Sequence, residues 1–271
     1  MSTARLDAEI VRRGLAPSRE RARLLIKEGK VSLPGFSTIK PATQVDETTH
    51  IIIDAIEQDS WASRGAHKLL GALAHFEKKG LQVAEKRFLD AGASTGGFTD
   101  VLLRHGAREV VAVDVGRDQL IPRLQSDPRV VVIDAMNIRY LDVSDTNGLC
   151  DAMVGDLSFI SLTLVLESIA RVLHDEADLL PMVKPQFEVG KERLSHTGVV
   201  KDPHLRVEVT TKVAEYAQTL GLSLIDVVAS PLPGPSGNAE YFLWLKKDNG
   251  KRKMELTAVK RLVRKAVEEG P

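Results

Sequence analysis

Five apolar runs, each closed by a polar residue and followed by a helix-like stretch, constrain the fold of this chain more than any other feature. They are Phe88-Leu-Asp, Val110-Val-Ala-Val-Asp, Val130-Val-Val-Ile-Asp, Ala152-Met-Val-Gly-Asp and Leu179-Leu-Pro-Met-Val-Lys. A strand that is apolar at consecutive positions is covered on both faces. Helices between such strands supply both the cover and the crossovers, so the pattern predicts an α/β unit with a mixed, mostly parallel sheet. Two further runs, Leu224-Ile-Asp-Val-Val and Tyr241-Phe-Leu-Trp-Leu, close the sheet across the loop Pro231-Leu-Pro-Gly-Pro-Ser-Gly-Asn. A helix begins near Ala66, another opens at Asp202-Pro203 as N-cap and N1 and runs toward Gly221, and a basic helix covers 255–267.

The first 59 residues have a different texture. Leu6, Ile10 and Leu15 form an apolar stripe, Ser18 is a good N-cap and Gly29 a good helix stop, and short strands follow at Val31-Ser-Leu and His50-Ile-Ile-Ile. The expected organisation is a small α+β domain over 1–59, a linker over 60–64, and the α/β domain over 65–271.

Zero net charge conceals an asymmetry. Residues 1–40 and 246–271 each hold nine Lys/Arg against four Asp/Glu, so two ends of +5 flank an acidic body of −10. Basic ends of this kind suit a polyanion. On the second predicted helix Arg19, Arg23 and Lys27 recur at i, i+4 and i+8, which places three cations on one face away from Leu25 and Ile26. The N-terminal residues lack the apolar core of a secretory signal, and no run approaches the ~20 residues of a membrane span. One cysteine, Cys150, leaves no disulfide framework, and His67 and His75 have no metal-ligand spacing. A cytoplasmic protein without a metal is expected.

The first predicted strand leads into Asp90-Ala-Gly-Ala-Ser-Thr-Gly-Gly-Phe-Thr. Its D-x-G-x-x-x-G-G spacing matches neither the dinucleotide fingerprint nor a P-loop. The spacing resembles the loop of Rossmann-type methyltransferases, and that resemblance implies S-adenosylmethionine as cofactor, with Asp90, Gly92, Ser94, Gly96 and Gly97 around its methionine part. Asp114 at the end of the second strand is placed to accept two ribose hydroxyls. Asp134 and Asn137 after the third are placed to read an adenine amino group.

Methyl transfer to a hydroxyl needs in-line placement and a proton acceptor. Asp156 and Lys184 end the fourth and fifth strands, Lys68 opens the helix before the first, and Glu240 lies just before the last. These four resemble the K-D-K-E tetrad of ribose 2′-O-methyltransferases of the FtsJ/RrmJ class. Arg5-Leu-Asp, Gly14-Leu-Ala-Pro-Ser-Arg, Leu25-Ile-Lys-Glu-Gly-Lys-Val and Lys40-Pro resemble the RNA-binding domain of small-subunit ribosomal protein four and of pseudouridine synthases. Pro34-Gly35 departs from that domain's usual Asn-Gly or Asp-Gly. With both parts together, the whole chain resembles the TlyA family, historically labelled hemolysins.

The resemblance implies cytidine 2′-O-methylation of ribosomal RNA, with ribosomal RNA or subunits as partner. It assigns Lys184 as general base and Asp156 as the group that orients it and favours the cationic transition state. Lys68 would disfavour a proton on Lys184 by like-charge repulsion and help position substrate, and Glu240 would position the ribose or Lys68. Arg5, Arg19, Arg23 and Lys27 would contact RNA. Two readings from other classes stay open: a non-catalytic RNA-binding or ribosome-assembly factor, separated by a methyl-transfer assay, and a membrane-active hemolysin, separated by liposome leakage.

Overall fold

The computed structural model describes residues 3–16, 18–36, 38–53, 61–190 and 192–270. The chain divides into two compact units, Met1–Ser60 and Trp61–Pro271. In the first, β1 (Ala4–Arg5) leads into α1 (Leu6–Arg12) and α2 (Arg19–Lys27), followed by β2 (Val31–Ser32), β3 (Gln44–Val45) and β4 (Ile52–Ile53). β1 pairs with β3 and β2 with β4, both antiparallel. Ser18 caps α2 by accepting from the Arg21 amide. Leu6, Ile10, Ala22, Leu25, Ile26 and Val31 close a small core between the helices and strands.

The second unit begins with α3 (Gly65–Phe76) and then alternates: β5 (Arg87–Ala91), α4 (Gly97–Arg104), β6 (Glu109–Val113), α5 (Pro122–Gln125), β7 (Val130–Ile133), β8 (Cys150–Gly155), α6 (Leu166–Arg171) and β9 (Leu173–Val183). It continues through α7 (Pro185–Glu188), α8 (Pro203–Thr219), β10 (Leu222–Ala229), β11 (Tyr241–Lys247) and α9 (Leu256–Glu269). The seven strands lie in the order β10-β11-β9-β8-β5-β6-β7, and only β11 runs against its neighbours. This is the mixed, mostly parallel sheet expected from the apolar runs.

Alternation along the central strands divides the core into two layers. Leu89, Val111 and Met153 pack with α6, α8 and α9, whereas Phe88, Val110 and Ala152 pack with α3 and α4. Phe242 and Trp244 sit in the second layer as core residues. Cys150 is fully enclosed, and burial pushes its thiol up to about 11.

The segment expected to be a linker is packed from Trp61 onward. Arg104 lies over the Trp61 ring at 4.3 Å, and the Ala62 amide donates to Asp100 on α4 at 2.9 Å. Arg64 donates to the Pro233 carbonyl at 2.7 Å. Residues 61–64 therefore belong to the second unit, and Ser60 lies outside the described residues.

Candidate active site

In an open α/β sheet, ligands sit beyond the carboxyl ends of the strands where the winding reverses. Here the reversal lies between β5 and β8, which start neighbouring crossovers in opposite directions. Asp156 follows β8 and Lys184 follows β9. Because β11 runs antiparallel, with Tyr241 opposite Val183, its first end lies at this same edge and Glu240 arrives beside Lys184. The helix α3 precedes β5, and its first turn delivers Lys68.

The four side chains converge. Lys184 Nζ lies 2.5 Å from Asp156 Oδ1 and donates to Ser158 Oγ at 2.7 Å. Lys68 Nζ lies 3.8 Å from the other oxygen, Asp156 Oδ2, and donates to Glu240 Oε2 at 2.6 Å. Both lysines and Glu240 are buried, while the Asp156 side chain keeps 24% of its surface. Two buried lysine nitrogens thus share one carboxylate that still opens to solvent. Charges this far from water persist only when paired, and here the pairs form a chain from Glu240 through Lys68 and Asp156 to Lys184. The second Glu240 oxygen, Oε1, is buried without a hydrogen-bond partner among the described residues. It faces Gly234, where an added Cβ would come within 2.5 Å of it.

The cofactor-type loop is drawn tightly against this group. Gly92 has φ +87°, and a Cβ there would lie 3.2 Å from the Asp156 carbonyl oxygen. Gly96 caps α4 with φ +97°, under Leu120 and Leu124. Both positions require glycine. Non-glycine residues in the left-handed region recur along the same edge: Ser94, Asp118, Ala135 and Phe159, one in each loop that follows β5, β6, β7 and β8. Such residues each cost on the order of 1–3 kcal/mol and gather where a backbone is held for a ligand.

The expected cofactor residues fall into three groups. Asp114 is anchored on both oxygens, by the Ser94 amide at 2.9 Å and the Gly116 amide at 2.7 Å, and a carboxylate has further lone pairs to offer. Asp134 accepts from the Asp118 amide at 2.9 Å and is exposed, whereas the Asn137 carbonyl is occupied in capping the turn at Ile138–Tyr140. Asp90 does not stand at the strand tip as expected. The strand runs on through Ala91, and alternation turns Asp90 inward beneath α4, fully enclosed, where Oδ2 accepts from Thr99 at 2.7 Å. Its Oδ1 has no partner among the described residues. Burial, with the neighbouring carboxylates of Asp156 and Asp114, pushes the Asp90 carboxyl up to about 7.

Two residues that were not singled out from the sequence belong to this edge. One is Ser158, bonded to Lys184. The other is Phe159, which is 90% exposed with φ +63°, its ring 5.1 Å from that of Phe187. The loop carrying them is braced by Glu188 of α7, which accepts from Ser161 Oγ and the Leu162 amide. An aromatic left in solvent on a strained backbone is the one signal that marks Phe159, and it is invisible without the structure.

In the first unit the predicted cations do not act as one helix face. Arg19 and Arg23 turn, together with Arg5, onto the buried carboxylate of Asp7. Lys27 makes no ion pair among the described residues.

The chain matches the FtsJ-like methyltransferase family over residues 61–247 and the S4 domain over residues 4–49. It is 51% identical to the 16S/23S rRNA (cytidine-2′-O)-methyltransferase TlyA of Mycobacterium tuberculosis, over 99% of this chain and 98% of that protein. It is 34% identical to Hemolysin A of Brachyspira hyodysenteriae, over 88% of this chain and 97% of that one. A solved structure of a Streptococcus thermophilus protein carrying the hemolysin name superposes with a TM-score of 0.73 at 36% identity, covering 99% of this chain and 97% of the other. Among the described residues no helix is long and apolar enough to cross a membrane. With a seven-stranded methyltransferase sheet, an S4 domain ahead of it and this level of identity along the whole chain, the protein belongs to the TlyA family of FtsJ-like methyltransferases.

Proposed function

We propose that this chain transfers the methyl group of S-adenosylmethionine to the ribose 2′-hydroxyl of a cytidine in ribosomal RNA, acting in the cytoplasm. The observation that carries the reading is the Asp156 carboxylate held between two buried lysines at the edge where the glycine-rich loop ends. When bound, S-adenosylmethionine supplies a methyl group made electrophilic by the sulfonium. The protein's own work is to hold a hydroxyl in line with it and to take up that hydroxyl's proton.

In this reading Lys184 Nζ acts as the neutral amine that accepts the proton, and the charge of Lys68 across the shared carboxylate disfavours a proton on it beforehand. Asp156 orients it through Oδ1 and offsets the positive charge that collects there as the proton arrives. Ser158 Oγ fixes the Lys184 nitrogen from a second side. Lys68 draws on the other Asp156 oxygen and positions the ribose, and Glu240 holds Lys68 in place. The fit of a cationic cofactor rests on the carboxylates of Asp90, Asp114 and Asp156 around one loop, whose mutual repulsion is felt at Asp90. Asp114 would take the two ribose hydroxyls of the cofactor, and Asp134 its adenine amino group. Asn137, its carbonyl already engaged, would donate to a ring nitrogen. Ser94, Gly92, Gly96 and Gly97 would line the methionine part. Phe159 offers an exposed ring face on which an unstacked base can lie. Arg5, Arg19, Arg23 and Lys27 would meet the RNA in the S4 unit.

The test is methyl transfer from labelled S-adenosylmethionine to unmodified small and large ribosomal subunits, with the modified nucleotide mapped. Label on a cytidine 2′-oxygen is expected. Label on a base would discard the tetrad's role. No label, with cofactor binding shown separately, would point to a non-catalytic RNA-binding protein.

A further inference from the structure

The S4 unit contains two buried carboxylates on α1, and each gathers arginines in a different way. Glu9 receives Arg12 and Arg13. The Arg13 guanidinium is consumed: Nε goes to Glu9, Nη1 to the Thr49 carbonyl, and Nη2 to the carbonyls of Asp46 and Glu47. Its side chain is only 22% exposed. That is how an arginine looks when it staples a fold.

Asp7 is arranged otherwise. Its side chain is fully enclosed, and its two oxygens receive Arg5 from the end of β1 and Arg19 and Arg23 from successive turns of α2. Arg5 donates through Nε and Nη2, Arg19 through Nη2 and Arg23 through Nε. Among the described residues, Arg5 Nη1, Arg19 Nε and Nη1, and both Nη atoms of Arg23 make no hydrogen bond. The three side chains stay 43%, 50% and 54% exposed. Burial alone would raise the Asp7 carboxyl, but the hydrogen bonds from Arg5, Arg23 and Arg19 outweigh it and hold it well below the usual carboxylate range. Three cations on one anion leave a net charge of +2 and a set of unspent donors turned to solvent. A guanidinium fixed on one edge presents the other at a defined angle, which suits the bidentate geometry of a phosphate.

We propose that Asp7 is a positioning residue for RNA, clamping Arg5, Arg19 and Arg23 into one preorganised receptor for a backbone phosphate of folded RNA. This rests on the reading that the chain docks on ribosomal RNA, and it separates two kinds of cation in the unit. The three arginines supply geometry, while Lys27 supplies charge alone.

The test measures binding of the full chain to unmodified large and small ribosomal subunits across a salt series, with methyl transfer followed in parallel. Asp7→Asn removes a negative charge, so plain electrostatics would tighten binding. The receptor instead requires about tenfold weaker binding at every salt concentration. KM for the subunit should rise, with kcat and cofactor affinity unchanged. The charge-preserving variant Arg5→Lys/Arg19→Lys/Arg23→Lys should lose affinity to a similar degree at an unchanged salt slope. Lys27→Gln should flatten the slope by about one, with a loss of affinity that shrinks as salt rises. Equal or tighter binding by a folded Asp7→Asn variant, or wild-type affinity in the triple-lysine variant, overturns the proposal. If Asp7→Asn does not fold, the triple-lysine variant decides alone. Failure of the wild-type chain to bind either subunit would instead remove the underlying reading of ribosomal RNA docking.

Discussion

Asp90→Asn probes the cofactor edge and the stability of the fold at once. The Asp90 carboxyl has an ordinary value of 3.8 and is pushed up to about 7 by burial and by the carboxylates of Asp156 and Asp114. Below about pH 4 both the folded and unfolded chains hold the proton, and burial costs little. Between 4 and 7 only the unfolded chain releases it, so each unit of pH works against the folded state. Above 7 both are ionised, and the accumulated penalty, about 4 kcal/mol at most, stays constant. Asparagine keeps the volume and accepts from Thr99 but never ionises. The variant should match the wild type in denaturant unfolding near pH 4, gain on it steadily to pH 7, and hold a constant lead beyond. Other carboxylates, such as Asp178 and Asp248, are held low by their partners and move both proteins alike, so the difference isolates Asp90. A bound cation favours the ionised form. The Kd of the wild type for S-adenosylmethionine should therefore rise up to tenfold per unit as the pH falls below 7, with a flat profile in Asp90→Asn. A stability difference independent of pH would refute the reasoning about Asp90. A pH-dependent difference in stability with no pH effect on cofactor affinity would detach Asp90 from the cofactor.

Three further outcomes are expected in the same assays. Lys184→Ala should lower kcat by about 10²–10⁴ while leaving cofactor affinity within error, and near-wild-type turnover would remove Lys184 from proton transfer. Phe159→Ala should raise KM for the ribosomal subunit by about tenfold or more, with Phe159→Trp close to wild type; equal values for all three would mean that no base stacks there. Gly234→Ala sets a Cβ against Glu240 Oε1 and should reduce kcat as Glu240→Gln does, with unfolding little changed, and an active variant would show that the carboxylate can shift without cost.

Strand ends were the most legible part of this chain. An apolar run that stops at Asp156 or Lys184 places that residue at a sheet edge whatever else the chain does, because strand and helix periods leave few alternatives. The same logic misplaced Asp90, since the apolar run gives no sign that the strand continues one residue further and turns that side chain inward under Thr99. Convergence in three dimensions was less legible. Arg19, Arg23 and Lys27 share a helical spacing, yet a buried aspartate twelve or more residues upstream takes the first two and Arg5 and leaves the third. Likewise Asn137 offers both a carbonyl and an amide in the sequence, and only the local turn shows that the carbonyl is engaged.

The tetrad itself depends on a feature of topology that no single residue encodes. In a sheet of parallel strands every carboxyl end lies at one edge, so a residue that begins a strand would lie at the other. Glu240 immediately precedes β11 and still meets Lys68, because β11 inserts antiparallel between β9 and β10 and so starts at the edge that carries Asp156 and Lys184. The loop before it must then double back, and Ser230 closes it by donating from its amide to the Glu240 carbonyl at 2.8 Å. Pro231 packs so closely on α3 that a Cβ at Gly71 would come within 2.5 Å of it. The proline-rich loop, the reversed strand and the small residue on α3 thus form one device. It holds an acidic group against the buried lysine, and the lysine in turn reaches the carboxylate shared with Lys184. A change at Gly71 or Pro231, distant in sequence from all four charged residues, acts on the same ion chain as a change in Glu240.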